Sequence, residues 1–144
     1  MRVVLDTNIV VSRTLSELGH PARIVTAWHA QEIELQVIVS EWLLAEYERV
    51  LNYPRIRRRH GKSPEEVRAL VDEFRQLGVL VEPTEVPAVI FQDPDDDHVL
   101  ACALVGGADY IITGGPDLLE LGEYQGICII APATFVRLLE DLRR

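Results

Sequence analysis

The sequence predicts an α/β domain of three layers, with helices on both faces of a mostly parallel, five-stranded sheet. Three observations carry this expectation. The strand candidates Val3-Val4-Leu5, Leu35–Val39, Val79–Val81, Tyr110–Thr113 and Ile127–Ile130 are short, continuous apolar runs rather than alternating ones, as strands covered on both faces require. Segments of helical length separate them, and alternation of this kind builds a parallel sheet. Finally, 48% of the 144 residues are hydrophobic and 26% charged, the balance of an ordinary globular domain, and a chain of this size buries roughly 70% of its unfolded surface without metal or disulfide staples.

Each element follows from local chemistry. The first strand ends in Asp6-Thr7-Asn8, residues suited to a turn or helix cap, and a helix is expected from about Asn8 to Leu18. Gly19-His20-Pro21 breaks the chain, and Pro21 can start a second helix to about Ala30. After the second strand, Ser40 is a good N-cap for a helix over Glu41–Asn52 that must stop before Pro54. Ser63-Pro64-Glu65-Glu66 opens a helix to about Leu77, ended by Gly78. A loop carrying Pro83 and Pro87 follows the third strand. Asp93-Pro94-Asp95-Asp96-Asp97 then starts a helix that closes at Gly106-Gly107. Pro116–Leu121 reads as a short helix and Pro132–Leu142 as the terminal one.

Fourteen Lys+Arg against 23 Asp+Glu give a net charge of -9, which argues against a nucleic-acid binder that relies on overall positive charge but does not exclude a nuclease. Cys102 and Cys128 lie far apart in apolar runs and read as small buried residues rather than a disulfide or Cys-x-x-Cys motif. No signal-peptide pattern and no apolar stretch of membrane-spanning length is present. A soluble cytoplasmic protein with no membrane partner is therefore expected.

In open parallel sheets, ligands bind at the carboxyl ends of the strands where strand order reverses, so acids at that rim are the informative ones. Asp6 follows strand one directly, and it can serve either the rim or the helix cap. Glu46 adjoins the apolar stripe of Leu43, Tyr47, Val50 and Leu51, and a carboxylate there must be paired, hydrogen-bonded or metal-bound. An ion pair with Arg49 or Arg23 is the alternative. In the Asp93–Asp97 run, Asp93 and Asp96 have capping work available. Asp97 has none, and its i+3, i+4 and i+7 neighbours Leu100, Ala101 and Leu104 place it on the inward face. Asp117 follows strand four across Thr113-Gly114-Gly115-Pro116 and serves either the rim or the dipole of its own short helix.

Taken together, Asp6, Glu46, Asp97 and Asp117 are expected to meet in one hollow. Two carboxylates about 4 Å apart repel by roughly 4 kcal/mol at an effective dielectric of 20, so four of them call for a cation. All-oxygen donors suit Mg²⁺ or Mn²⁺ better than Zn²⁺. His20, His29, His60 and His98 are scattered, and only His98, beside Asp97, is placed to touch a substrate. Trp28 and Trp42 read as core or interface. Arg55, Arg57, Arg58, Arg59 and Lys62 form the one concentrated basic segment, suited to RNA phosphates, to a dimer or to a protein partner.

At this point the residues resemble a known family. Val-Val-Leu-Asp6-Thr7-Asn8, Ser40 six residues before Glu46, Asp97 sixteen residues before Thr113, and Thr113-Gly114 with Asp117-Leu118-Leu119 are similar to the PIN domain, in particular its VapC-like branch of toxin components in toxin–antitoxin systems. The similarity spans essentially the whole chain, 1–144, as a single PIN domain. It implies an α/β/α sheet and a Mg²⁺- or Mn²⁺-dependent endoribonuclease, with catalytic and metal-binding acids at Asp6, Glu46, Asp97 and Asp117. Thr7, Asn8, Ser40 and Thr113 are implied as supporting polar groups. A homodimer and a cognate antitoxin are the partners it implies beside the RNA substrate. The chain departs from the family at Gly115, where members often carry an acid straight after Thr-Gly, so Asp117 is left to supply that ligand or a second metal is lost. Two other readings compete: a PIN-like module that binds RNA or a partner without cutting, and a Mg²⁺ phosphohydrolase of small phosphoesters. The latter lacks a second Asp at Asn8.

Overall fold

The computed structural model describes residues 1–31 and 33–143. Strands β1 (Arg2–Leu5), β2 (Gln36–Ser40), β3 (Val79–Val81), β4 (Tyr110–Ile112), β5 (Glu123–Tyr124) and β6 (Ile127–Ile130) form one sheet in the order β3-β2-β1-β4-β6-β5. Every pairing is parallel except β5 with β6. Helices α1 (Thr7–Leu15), α2 (His20–Ala30), α3 (Glu41–Leu51), α4 (Pro54–His60), α5 (Pro64–Leu77), α6 (Asp95–Val105), α7 (Pro116–Leu121) and α8 (Pro132–Leu142) flank it. The three-layer α/β architecture holds, with six strands rather than five. The sixth is β5, two residues of a hairpin turned by Gln125 and Gly126, both at positive φ. A two-residue strand is too short for any periodicity to reveal.

The central strands justify their apolar runs, since Val3, Val4, Leu5, Val37, Ile38, Val39, Ile111 and Ile112 are all fully buried. Helix α6 packs on β1, β2 and β4, while α5 packs on β2 and β3. Towards the sheet edge, cover thins. In β6, Ile127 and Ile129 are buried but Cys128 between them is exposed, which corrects the expectation that both cysteines are internal. Cys102 is buried, and desolvation pushes its thiol up to about 12.

Caps set the helix boundaries. Ser40 Oγ accepts the Leu43 N–H at 3.2 Å, and Ser63 and Glu66 form a reciprocal capping box. Helix α1 ends at Leu15 rather than Leu18, with Ser16 in extended conformation. The basic segment is itself helix α4, opened by Pro54 and closed by Gly61 at φ 70°. Gly78 is fixed by space rather than dihedral, because a Cβ there would lie 2.6 Å from the Phe74 carbonyl oxygen and 2.8 Å from that of Val37. Both obstacles are backbone, so Gly78→Ala is expected to cost about 1–3 kcal/mol, read as a lower denaturation midpoint at unchanged m-value. Among the described residues, no helix is long and apolar enough to cross a membrane.

Strand β1 leads to β2 and β3 on one side, and β4 leads to β6 and β5 on the other. The order therefore reverses between β1 and β4, whose ends are in register at Leu5 and Ile112. Residues leaving these two strands, Asp6 and Thr113, open the crevice where such sheets bind ligands.

Candidate active site

Asp6 serves both of its alternatives at once. Its Oδ1 accepts the Thr7 N–H at 2.8 Å, capping α1, while its Oδ2 accepts from the Thr113 hydroxyl at 2.7 Å and Asn8 Nδ2 at 3.0 Å. Thr113 Oγ1 in turn accepts the Gly115 N–H at 2.9 Å, and Asn8 Oδ1 accepts the Gly114 N–H at 2.8 Å. The Thr113-Gly114-Gly115 turn is thus tied to the start of α1 around one carboxylate. Thr7 donates through its hydroxyl to Glu46 Oε1, coupling α1 to α3. Tyr47, fully buried beside Glu46, donates to the Leu5 carbonyl at 2.5 Å and fixes α3 against the end of β1.

Glu46 is 8% exposed, and its other oxygen lies 3.5 Å from Arg49 Nη2. That pair is long and Arg49 is half in solvent, so it offsets little of the charge. Asp6 and Glu46 line a hollow of about 520 Å³ together with Asp93, Asp95, Asp96 and Asp117. Of the four acids the sequence singled out, three therefore share the hollow and Asp97 does not.

Asp97 is buried as its stripe requires, but it faces the loop that precedes the helix. Its Oδ1 accepts the Val89 N–H at 3.0 Å and the Ile90 N–H at 2.9 Å. Asp96 takes the place in the hollow. Asp95 and Asp96 supply the wall of the hollow, and the further step of about 100° to Asp97 carries its side chain inward under the Val89–Ile90 loop. The capping work assigned to Asp96 falls to Asp93 instead, whose Oδ1 accepts the Asp95 N–H at 3.2 Å and whose carbonyl accepts the Asp96 N–H at 3.0 Å. The Asp-x-x-Asp spacing of Asp93 and Asp96 was the signal for this, readable only with the path of the loop in hand.

Other expected site residues divide similarly. Thr7, Asn8 and Thr113 surround Asp6 as described. Ser40 does not reach the hollow: its hydroxyl is spent on the α3 cap, and it lines a separate pocket with Trp42 and His98. His98 stacks flat on Trp42, with ring centroids 4.0 Å apart, away from the acids. Of the basic segment, only Arg59 lines the acid hollow. Arg57, Arg58 and Lys62 line a different groove, and Arg55 lies outside both.

The electrostatics match the crowding. Burial holds Asp6 above the usual carboxylate range against the opposing hydrogen bonds from Thr113, Thr7 and Asn8, and Asp93 adds to the rise. Burial also raises Glu46; the Thr7 hydrogen bond and Arg49 oppose it, while Asp6 and Asp95 reinforce it. Asp96 is pushed up to about 7, first by burial and then by Asp6, Asp93, Asp117 and Glu46. A donor set made only of carboxylate oxygens, crowded enough to hold a proton near neutrality, fits a hard divalent cation. Among the described residues, no three Asp, Glu, His or Cys side chains stand close enough together in this structure to hold a metal ion between them.

Comparison with known proteins bears on this arrangement. A chain of a solved structure, VapBC2 from Rickettsia felis bound to a DNA fragment from their promoter, superposes with a TM-score of 0.60 at 15% identity, covering 91% of this chain and 98% of that one. At that identity the likeness is one of fold. No curated protein matches by sequence. A family model described as PIN domain matches residues 2–115, a span running from β1 through the Thr-Gly-Gly turn and so including every acid of the hollow except Asp117. On this match, which covers most of the chain, the chain belongs to the PIN domain family.

Proposed function

We propose that the protein is a Mg²⁺- or Mn²⁺-dependent endoribonuclease that hydrolyses RNA phosphodiester bonds. One observation carries the reading: carboxylates from the end of β1, the middle of α3 and the starts of α6 and α7 line a single hollow at the topological switch point. Asp6, Glu46 and Asp96 are the residues that would hold the ion, with Asp117 across the rim. A divalent ion there supplies charge neutralisation for the phosphate and a water of lowered pKa. The chain's own residues do the positioning. Thr113 and Asn8 orient the Asp6 carboxylate, and Thr7 orients Glu46. Glycines 114 and 115 leave the rim free of side chains beside Asp6, where a phosphate can approach. Hydrolysis by water leaves a 5′-phosphate and a 3′-hydroxyl, and products ending in a 2′,3′-cyclic phosphate contradict the reading. The test is cleavage of a long single-stranded RNA by the purified protein with Mn²⁺, with Asp6→Asn as the inactive control.

A role as the toxin of a toxin–antitoxin pair accords with a fold shared with VapBC2. The checks are growth arrest on expression and relief of the arrest by a co-expressed binding partner. The dimer belongs to the same proposal and is read by light scattering.

A second reading, a module that binds without cutting, is favoured by Gly115. A Cβ at this position would stand 3.3 Å from Thr113 Oγ1 and 3.8 Å from Asp6 Oδ2, so an acid there would reach the hollow directly and the chain does without it. Gly115→Asp is therefore expected to tighten Mn²⁺ binding by roughly tenfold, about 1.4 kcal/mol, and to lower the metal-free melting temperature through added repulsion. Calorimetric titration checks it. Unchanged affinity would mean that Asp117 already fills that role.

A further inference from the structure

Helix α4 separates two concavities of opposite character. One wall of the acid hollow carries Ile56 and Arg59, and among the described residues Arg59 is the only Lys or Arg that lines it. Its charge is uncommitted, since among the described residues no carboxylate forms an ion pair with it. On the other side of the helix, Arg57, Arg58 and Lys62 line a groove of about 500 Å³. Among the described residues Glu66 is the one acid there, and it is committed to the α5 capping box. Helical geometry produces the split, because residues 57 and 59 are about 200° apart around the axis.

The groove is held in shape. His60 donates through Nε2 to the Leu51 carbonyl at 2.8 Å and accepts the Lys62 N–H at Nδ1 at 2.9 Å. Gly61, at φ 70°, reverses the chain between them. Lys62 is thereby returned alongside Arg57 and Arg58 rather than continuing away from them.

Resting on the nuclease reading above, we propose that a single RNA strand crosses α4, with Arg59 positioning a phosphate beside the one being cut and Arg57, Arg58 and Lys62 holding phosphates further along. In a protein of net charge -9, a polyanion must be gathered by a local cationic track. A helix with its side chains is about 10–12 Å across, so only a strand longer than the hollow reaches the groove.

The experiment compares wild type, Arg59→Gln and the triple variant Arg57→Gln/Arg58→Gln/Lys62→Gln, on a trinucleotide, which carries one phosphate beside the one being cut, and on a long single-stranded oligoribonucleotide. Thermal melts establish that each variant is folded. Arg59→Gln is expected to lower kcat on both substrates by about tenfold or more, the size of one lost charged hydrogen bond. The triple variant is expected to raise KM for the long RNA only and leave kcat unchanged. Fluorescence anisotropy in the Asp6→Asn background reads binding without cleavage. Each phosphate contact on a single strand contributes about 0.7 to the slope of log K against log salt, so the triple variant should flatten it by about 2. An unchanged slope overturns the track. Unchanged kcat for Arg59→Gln overturns its positioning role. If wild type cuts no RNA, the nuclease reading fails separately, and the salt slope still decides the track.

Discussion

Asp96→Asn is expected to lower the rate of RNA cleavage by about 10²–10³-fold at saturating Mn²⁺, whereas Asp97→Ala loses only a small fraction of that. The two side chains are adjacent in sequence and both sit in the first turns of α6, so their separation is a sharp test of the site. Asp96 lines the hollow with Asp6 and Glu46. Asp97 turns its carboxylate to the N–H groups of Val89 and Ile90, where it secures the loop that delivers Asp93 to the rim. Removing it strands two donors, one of them on buried Ile90. Hydrogen bonds to a charged acceptor are worth about 1.5–3 kcal/mol each, so losing both is expected to destabilise the fold by about 3 kcal/mol or more, seen in urea unfolding, while the folded fraction still cleaves. Asp96→Asn should show the opposite pattern, with activity gone and stability kept or raised. If Asp97→Ala abolished cleavage and Asp96→Asn did not, the ligand set drawn here would be wrong.

The metal-free protein is expected to lose stability as pH rises from about 4 to 7, and added Mn²⁺ to restore it most strongly above pH 7. The sign follows from Asp96. Its pKa is about 7 in the folded chain and 3.8 for the free side chain, so between these values the folded state binds more protons than the unfolded one. Stability therefore falls across that window and the loss is complete above it. Asp6 and Glu46, both raised, act in the same direction. For a sequestered group the interval would be worth about 4 kcal/mol. Asp96 remains partly exposed, and solvent screening brings the expected effect to about 1–2 kcal/mol, or about 3–8 °C in melting temperature for a chain of this size. A divalent ion that binds only the folded form adds about 2.7 kcal/mol at a hundred times its Kd. Because it must displace the Asp96 proton, its effect should be larger at pH 8 than at pH 6. Asp96→Asn should flatten the pH profile and remove most of the metal response. A melting temperature that rose between pH 5 and 8 without metal would exclude the crowded-carboxylate account.

Much of this was written in local chemistry. Continuous apolar runs announced the buried strands because strands covered on both faces have no polar side to alternate with. Ser40, Ser63 and Gly78 marked helix ends where the structure has them, because orphan N–H groups and close backbone approaches are local demands. The placing of Asp6 directly after β1, of Glu46 beside an apolar stripe and of Asp117 after the Thr-Gly-Gly turn was enough to bring three acids to one rim.

Other features depended on which neighbour each side chain meets, and no window of sequence contains that. On paper Asp97 has the better claim, since Asp96 has capping work available and Asp97 has none. The loop lying over Asp97 decides otherwise, because its Val89 and Ile90 N–H groups take the Asp97 carboxylate as their acceptor. Ser40 is near the rim in sequence, but its hydroxyl is already committed to the Leu43 N–H. The run from Arg55 to Lys62 reads as one basic patch, yet a helical turn sends its charges to opposite sides of α4, only Arg59 among them towards the acids. Cys128 looks internal until the outer strand is found uncovered on one face. Sequence determines which residues are capable of a role through short-range hydrogen bonding and patterning; tertiary packing decides which of them is free to take it, because each polar group serves the partner that the fold brings nearest.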